Sequence, residues 1–179
     1  ILYEICTERK VATVISSSGR EKRRWRPTPL ATVELQKMAS QHLRISSDKT
    51  MEIAEKLYTD GYMSYPRTET DKFKEGTDLR GIIQLQAAHR DWGGFAQRLL
   101  GGEFVWPRDG GHDDGAHPPI HPCKASDGLT GDELRVYELV ARRFLACCAQ
   151  DAIGHESVVK VELAGERFSA SGLMISARN

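Results

Sequence analysis

The change of apolar period along the chain constrains its fold more than any other feature of the sequence. Residues 131–149 carry the longest helical pattern, with Leu134, Tyr137, Val140, Phe144, Leu145 and Cys148 on one side. After Asp151 the period drops to two. Over residues 155–163, Val159, Val161 and Leu163 alternate with Lys160 and Glu162, and Ala164-Gly165 can turn the chain into a second strand at 166–170. Near the other end, residues 1–6 and 11–16 are β-branched and apolar enough for two short strands, with a turn over 8–10 and a loop at Ser16–Gly19.

The middle is helical. Val33, Leu35, Met38 and Ala39 approximate helical spacing over 32–42. A second helix is better specified: Ser46 or Ser47 can cap it and Asp48 suits its positive end. Met51, Ala54, Leu57 and Tyr58 give it an apolar face, and Gly61 ends it. Two short helices follow over 80–89 and 93–100, broken near Trp92-Gly93-Gly94, before a polar, Gly-rich loop at 101–115. The fold class expected is therefore mixed and mainly α, a helical block inserted between strands that share one sheet. The divisions expected are 1–25, 26–152 and 153–179.

Hydrophobic content of 40% and charged content of 28% allow a packed core and argue against wholesale disorder. The formal net charge is zero, but residues 1–50 carry ten Lys or Arg against five acids, and the rest carry fifteen against twenty. Any nucleic-acid contact must come from a local basic face. Residues 20–26 are the most basic stretch; they suggest a phosphate-binding arm, with a solvated linker, a common use of basic stretches, as the favoured alternative. There is no apolar run long enough to span a membrane and no signal-peptide pattern, and both ends look cut from something longer. Cys6, Cys123, Cys147 and Cys148 lack CxxC spacing, which suits reduced thiols better than a disulfide framework or a zinc site.

The chemistry centres on Gly61–Asp71, GYMSYPRTETD. In an extended segment Tyr65 and Arg67 project to the same side. A phenol nucleophile beside a fixed guanidinium is the minimum equipment for attacking a phosphodiester. The bland alternative is a Tyr-Pro corner closing a helix-to-loop junction. A free phenol with a pKa near 10 is only about one part in a thousand ionised at neutral pH, a deficit of roughly 4 kcal/mol, so a metal ion or lysine from elsewhere would be expected to help. His112, His117 and His121 lie in a proline-bound stretch without zinc-ligand spacing. An imidazole there suits hydrogen bonding to a phosphate oxygen or to the phenol. Asp113 and Asp114 read as solvated acids.

The strings KTMEIAEKLYTDGYMSYPRTET, AHPPIHP, FLACCAQDA and ERFSASGLMISARN together resemble the type IA DNA topoisomerases, and among them the eukaryotic topoisomerase III enzymes of the alpha type. The resemblance implies a toroid of four domains. Its mainly helical third domain bears the tyrosine, and the flanking strands belong to the arched second, or gate, domain. It implies that Tyr65 opens one DNA strand through a 5′-phosphotyrosine link and that Arg67 polarises the phosphate. His117 would contact the active site and DNA, and Thr68 and Glu69 would help position single-stranded DNA. It implies magnesium bound by a Toprim domain, with no metal ligand in this chain. A RecQ-type helicase and an OB-fold accessory protein are the implied partners, in the nucleus with the mitochondrion as a second location. Taken alone, the chain would be an inert single-stranded DNA-binding or scaffold module. Two positions depart from relatives: Cys123, commonly threonine, and Asp71, often asparagine and here an added negative charge near the phosphate site.

Overall fold

The computed structural model describes residues 2–8 and 11–177. Two compact units divide the chain, Ile1–Trp25 with Asp151–Asn179, and Arg26–Gln150.

The first unit contains helix α1 (Leu2–Glu8) and strands β1 (Thr13–Arg24), β2 (Ala152–Leu163) and β3 (Glu166–Ala177) in one antiparallel sheet, ordered β1-β2-β3. Strands from both ends of the sequence thus share a sheet. The β2–β3 turn is Ala164-Gly165, both with positive φ, the geometry whose twist matches a two-residue hairpin. Two expectations are corrected. Residues 2–8 are helical, with the Thr7 hydroxyl bonding back to the carbonyls of Tyr3 and Glu4; the turn expected at 8–10 falls partly on residues 9 and 10, outside the described ones. The loop expected at Ser16–Gly19 is the middle of β1, because every one of these residues pairs with β2. A Cβ at Gly19 would lie 2.5 Å from Nε2 of the exposed His155 ring, so a larger residue there would require that side chain to turn away. The basic stretch at 20–24 is likewise strand, and Arg20 and Lys22 both pair with Glu156 across the ladder, at 2.5 and 2.7 Å.

The second unit is built from α2 (Thr32–Met38), α3 (Ser47–Thr59), α4 (Leu79–Gln86), α5 (Gly93–Arg98) and α6 (Gly131–Cys147). α2 and α5 each run on through a wider π turn, Ala39–Leu43 and Leu99–Glu103. The core joins Leu35, Leu57, Ile83, Tyr137, Val140 and Leu145, all fully buried. α3 begins as the sequence dictates, the Ser46 hydroxyl accepting the Lys49 N–H. It ends in a Schellman motif: Gly61 takes φ 76°, its N–H reaches Tyr58 O, and the Tyr62 N–H reaches Leu57 O at 2.8 Å.

That cap aims the chain into a short extended stretch clamped on both sides. Met63 bridges to Pro122, the Ser64 N–H bonds His121 O at 3.0 Å, and the Cys123 N–H bonds Tyr62 O at 2.8 Å. On the other side the Thr32 hydroxyl donates to Pro66 O, and the Thr68 N–H donates back to Thr32 Oγ1. Residues 62–68 therefore have backbone bonds on either flank, and what they carry is held in place.

Candidate active site

Tyr65 is half-buried and gripped by ring contacts. The Tyr58 ring meets it edge-on at 5.3 Å and the His117 ring lies tilted over it at 4.5 Å. No hydrogen bond holds its hydroxyl among the described residues. Tyr58 shares a helical stripe with Leu57 and Ala54, but its side chain is 46% exposed, so it supports Tyr65 and leaves the core to its neighbours.

Arg67 is held from the same helix. Its Nε and Nη2 donate to Oε1 of Glu55, at 2.6 and 2.5 Å. Glu55 and Tyr58 lie one turn apart on α3 and so on one face. Two residues spaced by three on one face of the helix therefore receive Tyr65 and Arg67, spaced by two on the extended segment. The Glu55–Arg67 pair is half-exposed, so it adds little stability, but it fixes where the guanidinium points.

The third side is the loop before Pro118. Asp114 Oδ1 accepts the N–H groups of Ala116 (2.9 Å) and His117 (2.8 Å). Its Oδ2 accepts the Thr68 hydroxyl (2.8 Å) and lies 3.5 Å from His117 Nδ1. These bonds, the His117 N–H first, hold its carboxyl well below the usual carboxylate range. Asp114 is thus a structural hub, correcting its reading as a solvated acid. Asp113 accepts the Gly115 N–H. Thr68 is 4% exposed with its hydroxyl committed to Asp114, while Glu69 is exposed on the surface.

The three histidines go to three places. His117 lies tilted over Tyr65. His112 binds Asp71, whose carboxylate accepts its N–H at 2.8 Å and lies 3.0 Å from Nδ1, so the added charge of Asp71 is engaged by the loop. His121 packs between Phe73 and Phe144 and donates from Nδ1 to Pro119 O. Burial pushes the His121 pKa below 6.5, the Pro119 carbonyl opposing it. Because the folded value is depressed, His121 contributes stability that is intact above about pH 6.5 and lost as pH falls through the folded value. Thermal melts are expected to drop over that window, and His121→Asn, which keeps a donor at the Nδ1 position, to flatten the slope. Asp114 acts at lower pH, its stabilisation present above 3.8 and lost below it. An unchanged slope in His121→Asn would contradict the assignment to His121.

A sequence profile of the family described as DNA topoisomerase matches residues 1–179. DNA topoisomerase 3-alpha of Mus musculus is 51% identical over the whole chain, which spans 18% of that protein. DNA topoisomerase 3-alpha of Arabidopsis thaliana is 52% identical over the whole chain, which spans 20% of it. Among solved structures, full-length topoisomerase I from Thermotoga maritima superposes with a TM-score of 0.72 at 25% identity, over 98% of this chain and 30% of that one. The chain therefore spans about a fifth of the length of these curated relatives.

Proposed function

Because this chain belongs to the type IA DNA topoisomerase family, in the group of eukaryotic topoisomerase III enzymes, we propose that it is the tyrosine-bearing gate segment of an enzyme that opens and reseals one DNA strand. In cleavage Tyr65 Oη bonds to phosphorus as the P–O3′ bond breaks. The phenol gives up its proton, the departing 3′-oxygen takes one up, and the 5′ end stays on the protein as a phosphotyrosine. Resealing is the reverse, and strand passage occurs between the two. Arg67 pairs the phosphate oxygens that gain charge, and His117 supplies a ring nitrogen beside the phenol.

One observation carries the reading. Tyr65 is fixed by its ring between Tyr58 and His117 while its hydroxyl is uncommitted among the described residues, and the face of α3 that meets Tyr65 also holds Arg67. Residues 26–152 would form the helical third domain and the sheet would belong to the arched gate domain. Magnesium, which the family implies, has no fitting donor set here: among the described residues no three His, Cys, Asp or Glu side chains come together. On this reading its ligands belong to other segments of the full-length protein. The same reading gives single-stranded DNA as substrate, a RecQ-type helicase and an OB-fold protein as partners, and the nucleus as location. Cut away from those segments, the chain would bind single-stranded DNA without cleaving it.

End-labelled oligonucleotides test the polarity. With the full-length protein and magnesium, a 3′ label is expected to stay with the trapped protein and a 5′ label to leave on a fragment ending in a 3′-hydroxyl. The reverse distribution would contradict a 5′-phosphotyrosine.

A further inference from the structure

Among the described residues, Asp114 is the one carboxylate that touches both the Tyr65 segment and the His117 loop. It reaches the Tyr65 segment through the Thr68 hydroxyl and the His117 loop through two backbone N–H groups and the imidazole. The junction is reinforced from below: the Asp114 N–H donates to Thr70 Oγ1 at 3.0 Å, and the Thr70 N–H donates to Thr68 Oγ1 at 3.0 Å. With three hydrogen bonds accepted from Thr68, Ala116 and His117, Asp114 has little freedom to turn elsewhere.

Resting on the reading of Tyr65 as nucleophile, we propose that Asp114 is a positioning residue for strand cleavage, acting through His117. Its Oδ2, 3.5 Å from Nδ1, favours a proton on that nitrogen and leaves Nε2 as the ring atom that meets the reacting groups. The same carboxylate fixes the backbone at His117, which sets the ring over Tyr65 at 4.5 Å. Among the described residues the imidazole lies against the Asp114 carboxylate and the Tyr65 ring, so the carboxylate is the charge that faces it.

Asp114→Asn in the full-length protein separates this role from loop folding. The amide oxygen still accepts the Ala116 and His117 N–H groups, but the charge beside Nδ1 is gone. Binding of a single-stranded oligonucleotide is expected to stay within about twofold, while single-turnover cleavage falls about 10- to 100-fold. In a His117→Gln background, adding Asp114→Asn should cost less than about twofold more, as expected for residues that work as a unit. Thr70→Val, which loosens the same junction and leaves the carboxylate beside the ring, should leave cleavage within about twofold. Unchanged cleavage in Asp114→Asn, equal loss of binding and cleavage, losses that multiply in the double variant, or a Thr70→Val defect as large as that of Asp114→Asn would each overturn the proposal. Failure of the nucleophile reading would show separately, as adducts that persist in Tyr65→Phe.

Discussion

Tyr65→Phe in the full-length protein is expected to abolish the covalent protein–DNA adduct, a loss of more than about a thousandfold, with single-stranded DNA binding changed by less than about twofold. The separation follows from how the ring is held. Phenylalanine keeps the edge-on contact with Tyr58 and the tilted contact with His117, and the hydroxyl it lacks has no hydrogen bond among the described residues. Stability should therefore move by less than about 0.5 kcal/mol. The experiment is a gel assay with a labelled oligonucleotide beside a filter-binding titration. Adducts that persist in the variant would mean another nucleophile.

Arg67→Ala is expected to slow cleavage by about 10²- to 10³-fold, roughly 2.7–4 kcal/mol, and to weaken binding by less than about tenfold. The guanidinium is needed most when the phosphate oxygens gain charge, so its loss falls on the chemical step. Removing it also strands the Glu55 carboxylate next to the phosphate position, where it repels. Glu55→Gln added to Arg67→Ala should then recover part of the loss. Arg67→Lys should recover little, because one ammonium cannot reproduce a planar fork that pairs Glu55 through Nε and Nη2. Single-turnover cleavage and equilibrium binding, measured side by side, check this; equal losses in both would remove Arg67 from the chemical step.

Much of the scaffold was legible because its signals are local. The Ser46 cap, the Gly61 terminus of α3 and the Ala164-Gly165 turn each follow from one or two residues with a narrow conformational preference. The period of two after Asp151 gave the strand type, though β3 runs through to Ala177, well past residue 170. Residues 2–8 mislead because β-branched and aromatic character describes a strand face and a short helix equally well. Ser16–Gly19 reads as a loop because its strand character comes wholly from pairing with Ser157–Lys160, more than a hundred residues away.

The candidate site shows the same division. Tyr65 and Arg67 are visible in the sequence because spacing by two in an extended segment puts them on one side. Glu55 and Tyr58 are hidden, since nothing local says that their face of α3 receives that segment. Asp114 is hidden for another reason. An acid in a Gly-rich loop looks solvated until the fold brings Thr68 to it, and its position three residues before His117, close enough to accept that residue's N–H, was the available clue.

The most direct test of the central claim locates the covalent bond. After cleavage by the full-length protein, nuclease trimming and trypsin, the DNA-linked peptide is expected to span residues 57–67, which contain Tyr58, Tyr62 and Tyr65. Fragmentation in the mass spectrometer should put the nucleotide on Tyr65. A nucleotide on Tyr58, on Tyr62 or on any residue outside that peptide would contradict the assignment of Tyr65 as the nucleophile.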